Sequence, residues 1–249
     1  MKKTVKRTLV GLGVVFIMIV AFFGTYLLKA KFEIRVMTPM ETREIDKKIV
    51  VINDSYVNLF LIKDSNQYIA VDGGNNMEAV SKELKNLNID PRNIIAVVLT
   101  HTDSDHVAAL NLFKKAGVYF SKQEEPLING GRARFLLWGN SIAAKKYTLL
   151  DDQQTITIKN TKIKGILTPG HTPGSMCYLV NDKYLFTGDA ISLKNDKIGK
   201  FNKFFNMDTK MATESIARIT AIPTAEYIFT AHYGYTSDYK NAVKDWKNE

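Results

Sequence analysis

The chain begins with one uninterrupted apolar run, whereas the remainder alternates between short apolar and polar segments. Residues Thr8 to Leu28 carry no charge. At about 1.5 Å of helical rise per residue these positions span about 30 Å, the thickness of the hydrocarbon core of a bilayer. A run without a polar face is a poor candidate for a helix of a globular domain. The pattern therefore predicts a transmembrane helix at 8–28, between a basic tail at 1–7 and a linker at 29–33.

A cleavable signal peptide is the alternative for this run. Such a peptide has a shorter apolar core, roughly 7–15 residues, and small residues before its cleavage site. No convincing small-x-small pattern follows the run, so an uncleaved, single-pass anchor in the cell membrane is favoured. The basic residues of the tail and the terminal amine outnumber the positive charges at Lys29 and Lys31. The positive-inside rule then places the following domain outside the cytoplasm.

Residues 34–249 have the pattern of one α/β domain. Short apolar or alternating runs predict strands at Ile34–Met37, Ile45–Ile52, Val57–Ile62, Tyr68–Val71, Ile94–Leu99, Thr155–Ile158, Ile163–Leu167, Met176–Val180, Tyr184–Phe186 and Tyr227–Thr230. Apolar residues at helical spacing predict helices at Met77–Leu87, Val107–Ala116, Asp208–Ile219 and Tyr239–Lys247. This succession predicts two sheets between layers of helices, with no repeat and no second domain boundary.

Composition and charge narrow the classes of partner. The 249 residues are 45% hydrophobic and 24% charged, which is typical of a globular chain with a sizeable core. The formal net charge is +9, but seven basic residues and one acidic residue lie before residue 36, so the rest carries 27 basic and 24 acidic residues, a net of +3. No basic run is interleaved with aromatic residues. We therefore expect a small-molecule substrate and a membrane contact, and no nucleic acid.

The single cysteine, Cys177, excludes an intramolecular disulfide and a zinc site built from several cysteines. The histidines are more informative, because each lies just after a predicted strand or in the loop that leaves it. They are His101, His106, His171 and His232. Asp189 takes the matching position after the strand predicted at Tyr184–Phe186. An isolated histidine is usually a satisfied core or surface residue, but four such placements together favour a metal site.

The densest group of potential ligands is the segment His101-Thr102-Asp103-Ser104-Asp105-His106. Its first half lies in the loop that leaves a strand and its second half starts the next helix, so its side chains can be aimed at two points a few ångström apart. Imidazole and carboxylate ligands suit zinc, iron or manganese, and about three ligands per ion leave positions for water. Taken alone, Asp103 or Ser104 could instead cap the helix.

Four ordered motifs resemble those of the metallo-β-lactamase fold superfamily, over the whole domain from about Ile34 onward. They are Thr100–His106 (THTDSDH), Thr168–Ser175 (TPGHTPGS), Phe186–Asp189 (FTGD) and Ala231–Gly234 (AHYG). Asp72, which ends a predicted hairpin, matches a family aspartate that supports the ligand loops. The resemblance implies an α/β fold of the αββα type, a sandwich of two mixed β-sheets flanked by helices, with two divalent metal ions at one edge of the sheets.

The resemblance also implies a role for each ligand. The first ion would be held by His101, Asp103 and His171. The second ion would be held by Asp105, His106 and His232, and Asp189 would bridge the two. Asp105 is in addition the candidate catalytic residue, because it would orient the attacking water and pass on its proton.

Two positions depart from familiar patterns of the family. Asp103 stands where the family usually has a second histidine. Its charge and its hard oxygen make iron or manganese a candidate beside zinc, the metal first expected. Asp189 stands where the zinc β-lactamases best known for antibiotic resistance have a cysteine, so β-lactam hydrolysis is not the default activity.

Two divalent ions that share a water lower its pKa toward neutrality and so supply hydroxide without a side-chain base. The sequence therefore predicts a binuclear hydrolase that cleaves an ester-like bond in a lactone, thioester or phosphodiester. The polar segment Ile191–Met207 either forms the substrate loop or packs its phenylalanines over the sandwich, and substrate-binding residues are unassigned.

Two alternative functions are left open. The carboxylate at Asp103 also resembles the flavodiiron proteins, which would make the chain a di-iron protein that consumes oxygen or nitric oxide. We expect no room for the flavin-binding domain that those proteins carry. The other alternative is a non-catalytic metal-binding membrane module, against which the complete ligand set argues.

Overall fold

The computed structural model describes residues 2–246, with side chains from residue 8 onward. The chain forms two units, residues 1–37 and residues 38–249. The predicted end of the last helix, at Lys247, lies outside the described residues.

The first unit is a helix, α1, over Lys2–Arg35. Its segment Thr8–Arg35 is long and apolar enough to cross a membrane, and no part of its most apolar stretch is buried. A signal sequence near the N-terminus passes the same test of length and composition. The helix continues through residues 29–33, and the strand predicted at Ile34–Met37 is wrong. No glycine or proline interrupts the chain there, and the amide of Met37 closes a local turn onto the carbonyl of Ile34 at 3.1 Å.

The first sheet of the second unit has seven strands, which lie side by side in chain order. They are β1 Arg43–Glu44, β2 Ile49–Asp54, β3 Val57–Asp64, β4 Gln67–Val71, β5 Ile94–Val98, β6 Gly117–Ser121 and β7 Thr148–Leu150. Strands β1 to β4 pair antiparallel, and β4 to β7 pair parallel. The sheet is therefore mixed.

The second sheet has six strands in the order β15-β14-β11-β10-β9-β8. The strands of the second half of the chain are β8 Thr155–Ile158, β9 Thr161–Leu167, β10 Met176–Val180, β11 Tyr184–Phe186, β12 Ile191–Lys194, β13 Lys197–Lys200, β14 Tyr227–Phe229 and β15 Tyr235–Thr236. Strands β11 and β14 pair parallel and the other neighbours of this sheet pair antiparallel, so this sheet is mixed as well. Strands β12 and β13 form a separate hairpin.

Three apolar clusters show how the layers stack. The inner faces of the two sheets meet in one cluster, in which Phe60 of β3 packs against Phe186 of β11 and Phe229 of β14. The outer face of the first sheet packs on a helix, α2 Met77–Asn86, through Val80 and Leu84. The outer face of the second sheet packs on α5 Thr209–Thr220 and α6 Tyr239–Val243. The predicted αββα sandwich is confirmed.

The helix predicted at Val107–Ala116 is wrong. The chain forms a short helix, α3 Ser104–Val107, then a 3-10 turn at Leu110–Leu112; a further short helix, α4, covers Glu125–Ile128. Helix α3 stops because the amide of Ala109 donates to the carbonyl of Gly73 at 2.9 Å instead of continuing the helical ladder. The sequence prediction has no counterpart for strands β1, β6, β7, β12, β13 and β15.

The ends of several strands of both sheets lie at one edge of the sandwich. Strand β5 runs into the loop of His101, β9 into the loop of His171, and β11 into the turn of Asp189. Strand β14 leads to His232 in the same way. Because the strands themselves are buried, the loops that follow them are held at fixed positions, and these positions form the site.

Candidate metal centre

All seven side chains predicted as ligands converge at this edge of the sheets. In the first group, Oδ2 of Asp103 lies 3.7 Å from Nε2 of His101 and 3.1 Å from Nε2 of His171. Both histidines are buried. One ligand atom from each of the three residues lies within 4.8 Å of the others, which is close enough for a shared ion.

The second group lies beside the first. Oδ2 of Asp105 is 3.9 Å from Nε2 of His106 and 3.8 Å from Nε2 of His232. Oδ1 of Asp189 is 3.5 Å and 3.1 Å from the same two nitrogens. The other oxygen of Asp189, Oδ2, is 3.4 Å from Nε2 of His171 in the first group. Asp189 therefore stands between the groups, the position implied for it by the resemblance.

Each histidine is oriented by an acceptor on its outer nitrogen, Nδ1. The acceptor for His106 is Oδ2 of Asp72 at 2.9 Å, and the acceptor for His232 is the carbonyl of Tyr56 at 2.8 Å. The Nδ1 of His171 lies 3.3 Å from Oδ1 of Asn206, and that of His101 lies 3.1 Å from Oγ1 of Thr100. The hydroxyl of Thr100 in turn donates to Asp72 at 2.9 Å, so it accepts from His101.

These contacts favour the tautomer that carries the hydrogen on Nδ1, and they point to a cation. In a neutral histidine with its hydrogen on Nδ1, Nε2 carries a lone pair on the opposite side of the ring. Here the Nε2 lone pairs of all four histidines face carboxylates. Within the described residues, four buried side-chain atoms lack a hydrogen-bond partner, and three belong to this centre: Nε2 of His101, Nε2 of His106 and Oδ1 of Asp189. Buried lone pairs without donors are costly unless a metal ion binds them, so the residues fit a metal centre.

The electrostatics of the second group favour a cation as well. Burial lowers the pKa of His106, but the carboxylates of Asp72, Asp189 and Asp105 outweigh it and raise this pKa to about 10. The same effect of Asp189 raises the pKa of His232. The field that favours a proton on these nitrogens equally favours a divalent ion between them.

Asp72 supports two ligand loops at once, as the resemblance implies. Its backbone is in the left-handed region, with φ +67°, at the end of β4. Oδ1 accepts from the amide of Thr100 at 2.7 Å, beside His101, and Oδ2 accepts from His106. The predicted supporting role of Asp72 is confirmed by these contacts.

Glu124 is a buried carboxylate that joins the loops of His101 and His171. Its Oε1 accepts from the amide and the hydroxyl of Thr102, at 2.9 and 2.8 Å. Its Oε2 accepts from the hydroxyl of Thr172 at 2.6 Å and from the amide of Gly174 at 3.1 Å. Burial raises the pKa of Glu124 above its usual range, whereas the hydrogen bonds from Thr172 and Thr102 favour the ionised form.

Asp103, the departure from the family pattern, is paired with an arginine. The guanidinium of Arg134 donates from Nε to Oδ1 at 2.7 Å and from Nη2 to Oδ2 at 2.6 Å, and Asn140 donates to Oδ1 at 2.9 Å. Burial raises the pKa of Asp103, but His171, His101 and Arg134 together hold this pKa well below its usual range. Asp103 precedes α3 at the N-cap position, yet its side chain caps nothing, so capping by the Asp103 side chain is wrong.

The segment predicted as a substrate loop, Ile191–Met207, is divided between a hairpin and an edge of the centre. Its first ten residues form β12 and β13. The ring of Phe201 is buried and packs edge-on against His171, with ring centroids 5.2 Å apart. The carbonyl of Phe205 accepts from Arg134, and Asn206 orients His171. The second half of the segment therefore belongs to the metal centre, and its contact with substrate stays a prediction.

Sequence reasoning missed Arg134, Asn140, Glu124 and Asn206. Arg134 comes from the segment Asn129–Asn140, which has no hydrophobic period, and nothing in the sequence separates it from Arg132 two residues earlier. The one available signal was chemical: an aspartate in place of a neutral histidine needs a nearby cation to balance its charge.

Comparison with known proteins assigns the chain to a family. The family model described as "Metallo-beta-lactamase superfamily" matches residues 52–232. Among curated relatives, the chain is 36% identical over 137 residues to a probable polyketide biosynthesis zinc-dependent hydrolase, PksB, of Bacillus subtilis, which covers 53% of this chain and 54% of that protein. The chain thus spans little more than half the length of this relative. It is 28% identical over 203 residues to a probable hydroxyacylglutathione hydrolase of Schizosaccharomyces pombe, covering 79% and 70%.

Solved structures agree on the fold. A subclass B3 metallo-beta-lactamase of Bradyrhizobium japonicum superposes with a TM-score of 0.62 at 18% identity, over 79% of each chain. A metallo-beta-lactamase of Cronobacter sakazakii with a HARLDQ motif gives 0.63 at 17% identity, over 82% of this chain and 77% of the other. The resemblance found in the sequence motifs is confirmed by the family match. The chain belongs to the metallo-beta-lactamase superfamily.

Proposed function

We propose that this protein is a membrane-anchored, metal-dependent hydrolase that cleaves an ester-like bond. The observation that carries the proposal is the set of four buried histidines that face carboxylates. In this set Nε2 of His101, Nε2 of His106 and Oδ1 of the facing Asp189 have no hydrogen-bond partner. A divalent ion bound there lowers the pKa of a water and polarises the bond to be cleaved.

The residues around the ion have separate tasks. The residues that would hold the ion are buried: His101, His106, His232 and Asp189. Asp105 is the more exposed member, with 19% of its side chain accessible, and faces His106 and His232 at nearly equal distance. A carboxylate in this position lies within reach of both the ligands and solvent, so we propose that Asp105 orients the attacking water and passes its proton on.

The proposed class of substrate bond is argued from the names of the relatives and from the aspartate at position 189. Relatives named as hydroxyacylglutathione hydrolases act on a thioester by name, and they match along most of this chain. Asp189 occupies the position of the cysteine found in the best-known zinc β-lactamases. We therefore propose a lactone, thioester or phosphodiester as substrate, with the thioester to be tested first.

The metal is proposed to be zinc. Imidazole and carboxylate ligands suit zinc, and the relative PksB is named as zinc-dependent. Iron or manganese stays a candidate because of the carboxylate ligands. The seven side chains are numerous enough for the two ions predicted from the sequence. A second ion would also require Arg134 to release Asp103.

The anchor is part of the proposal. The apolar segment of α1 would cross the membrane once and hold the following domain at the outer surface of the cell membrane. Alkaline carbonate extraction of membranes, with mass determination of the mature chain, tests this. A soluble chain that has lost its first residues would show that the helix is a cleaved signal sequence.

The activity is tested with the full-length chain in detergent, loaded with zinc, iron or manganese. Hydrolysis of thioester, lactone, phosphodiester and β-lactam probes is measured alongside oxygen and nitric oxide consumption. We expect metal-dependent turnover of one of the first three, lost in Asp105→Ala and in His106→Ala and kept in Asp151→Ala, which removes an exposed carboxylate. Full activity in either site variant would overturn the proposal. Oxygen or nitric oxide consumption by an iron form would favour the redox alternative.

A further inference from the structure

We infer that Arg134 takes the place of one of the two metal ions, so that the chain holds a single ion tightly. This inference rests on the proposed function in that a metal centre exists at all. The observation behind it is the pairing of Asp103 with Arg134 inside the first ligand group.

Three acceptor positions of the Asp103 carboxylate are taken by Arg134 and Asn140, and its Oδ2 lies 3.1 Å from Nε2 of His171. Two nitrogens of Arg134 and the amide of Asn140 donate to its two oxygens, at 2.6–3.0 Å. A carboxylate offers about four lone-pair directions, all in its own plane, and a side-on guanidinium uses the two that face it. Asp103 is therefore positioned as the partner of an arginine.

Arg134 is held in this position from a second side. Its Nη2 donates to the carbonyl of Phe205 at 2.8 Å and lies 3.4 Å from Nε2 of His171. Only 18% of its side chain is accessible. The guanidinium thus contacts two of the three members of the first group, and it is fixed there by a backbone acceptor from a separate segment of the chain.

The charges of the two groups are consequently different. The first group contains one carboxylate, and Arg134 neutralises it. The second group has the carboxylates of Asp105 and Asp189, whose ion pairs in the described part of the chain involve histidines alone. A dication in the first group would lie a few ångström from the guanidinium of Arg134. The two positive charges would repel each other strongly, because the dielectric constant of a buried site is low.

The atoms without partners mark where the ion binds. Nε2 of His101, Nε2 of His106 and Oδ1 of Asp189 have no hydrogen-bond partner, and one ligand atom from each of these residues lies within 4.8 Å of the others. Neither Asp103 nor His171 belongs to this group. Asp105 and His232 flank this group. The chain therefore offers one complete set of ligands around Asp189 and a second set in which an arginine already acts as the cation.

The metal content of the purified chain tests this inference. The full-length protein in detergent is saturated with zinc, dialysed and analysed for metal and protein. We expect one ion per chain for the wild type and for Arg134→Lys, which keeps the charge, and two for Arg134→Met. Arg132→Met, a change at the exposed arginine two residues away, should stay at one.

Several outcomes would contradict the inference. Two tightly bound ions in the wild-type chain would overturn it, as would Arg134→Met still holding one ion, or a wild type that holds none. The wild-type count decides the matter even where a variant folds poorly, and circular dichroism of each variant checks its folding. The count is independent of turnover, so a protein with one ion and no hydrolytic activity would overturn the proposed function and leave this inference standing.

Discussion

Nδ1 of His106 donates a hydrogen bond of 2.9 Å to Oδ2 of Asp72, a residue whose backbone is held at φ +67°. Both side chains are buried. The contact fixes which nitrogen of His106 carries the hydrogen and hence which nitrogen is free to bind a metal. Asp72 is not one of the predicted ligands, but its hydrogen bond leaves Nε2 of His106 free to bind a metal ion.

Replacing Asp72 with asparagine tests this relationship. Asparagine has the same shape and tolerates a positive φ, so the backbone is expected to persist. The backbone amide of Thr100 donates to Oδ1, so the side-chain oxygen of the asparagine has to take that position. The NH2 group then replaces Oδ2 and faces the N–H of His106. We expect metal affinity to fall by about 10–100-fold, the usual effect of losing such a supporting carboxylate.

Competition with a chromophoric chelator measures this loss. Asp196→Asn is the matched control, because Asp196 has φ +56° and is exposed in the turn between β12 and β13. If both variants kept wild-type affinity, Asp72 would have no part in orienting His106.

Replacing Glu124 with glutamine tests the connection between the loops of His101 and His171. All four contacts of Glu124 come from N–H or O–H donors, so an amide nitrogen in place of one oxygen leaves buried donors facing each other. We expect the free energy of unfolding to fall by about 2 kcal/mol, the usual cost of an unsatisfied buried polar group.

Urea unfolding of the full-length chain in detergent measures the change. Glu125→Gln is the control, since Glu125 is half-buried and accepts one hydrogen bond, from Tyr147. An equal loss in both variants would show that the position of Glu124 between the loops is unimportant.

A pH dependence of stability is expected from Asp64, far from the metal centre along the chain. Asp64 ends β3 and accepts from the hydroxyl of Thr161, at the start of β9, at 2.7 Å, so it joins the two sheets. Burial raises its pKa, but the hydrogen bonds of Asn160 and Thr161 outweigh this and place the pKa below its usual 3.8. A lowered folded-state pKa means that the ionised form stabilises the fold above the unfolded pKa, and that this contribution is lost as the pH falls through the folded pKa.

The variant Asp64→Asn should therefore unfold more easily than the wild type at pH 7, and the difference should shrink below about pH 4. Unfolding measured from pH 7 to pH 3 checks this. The exposed-site control Asp151→Asn should show a small difference at every pH. A gap between Asp64→Asn and wild type that widens in acid would contradict the assignment.

The ligands of this site were predictable because they follow strands that can be identified from the apolar composition of each strand. Runs such as Tyr184–Phe186 and Ile94–Val98 are apolar enough to be identified alone, and the polar residues after them stand out. The helix at Val107–Ala116 was mispredicted, because hydrogen bonds to Gly73 and Gly74, distant in sequence, end it early. Periodicity reports a local preference and carries no information on such long-range partners.

Arg134 and Glu124 were beyond prediction for a related reason. Both come from the irregular stretch between β6 and β7, where neither the helical nor the strand period applies. Their importance lies in which residue they meet across the fold, and a single sequence does not contain that pairing. By contrast, the sequence itself showed that Asp103 replaces the usual histidine of the family. It did not show that Arg134 is the partner of this aspartate.

The placement of the ligands on both sheets has a consequence for the order of events in folding. His101 and Asp105 follow a strand of the first sheet, whereas His171, Asp189 and His232 follow strands of the second. No short peptide of this chain contains the whole set, so the site exists only after the two sheets have packed together. We expect the ion to be captured by a finished sandwich: metal should slow unfolding and leave the refolding rate unchanged, and metal-accelerated refolding in stopped-flow experiments would contradict this order.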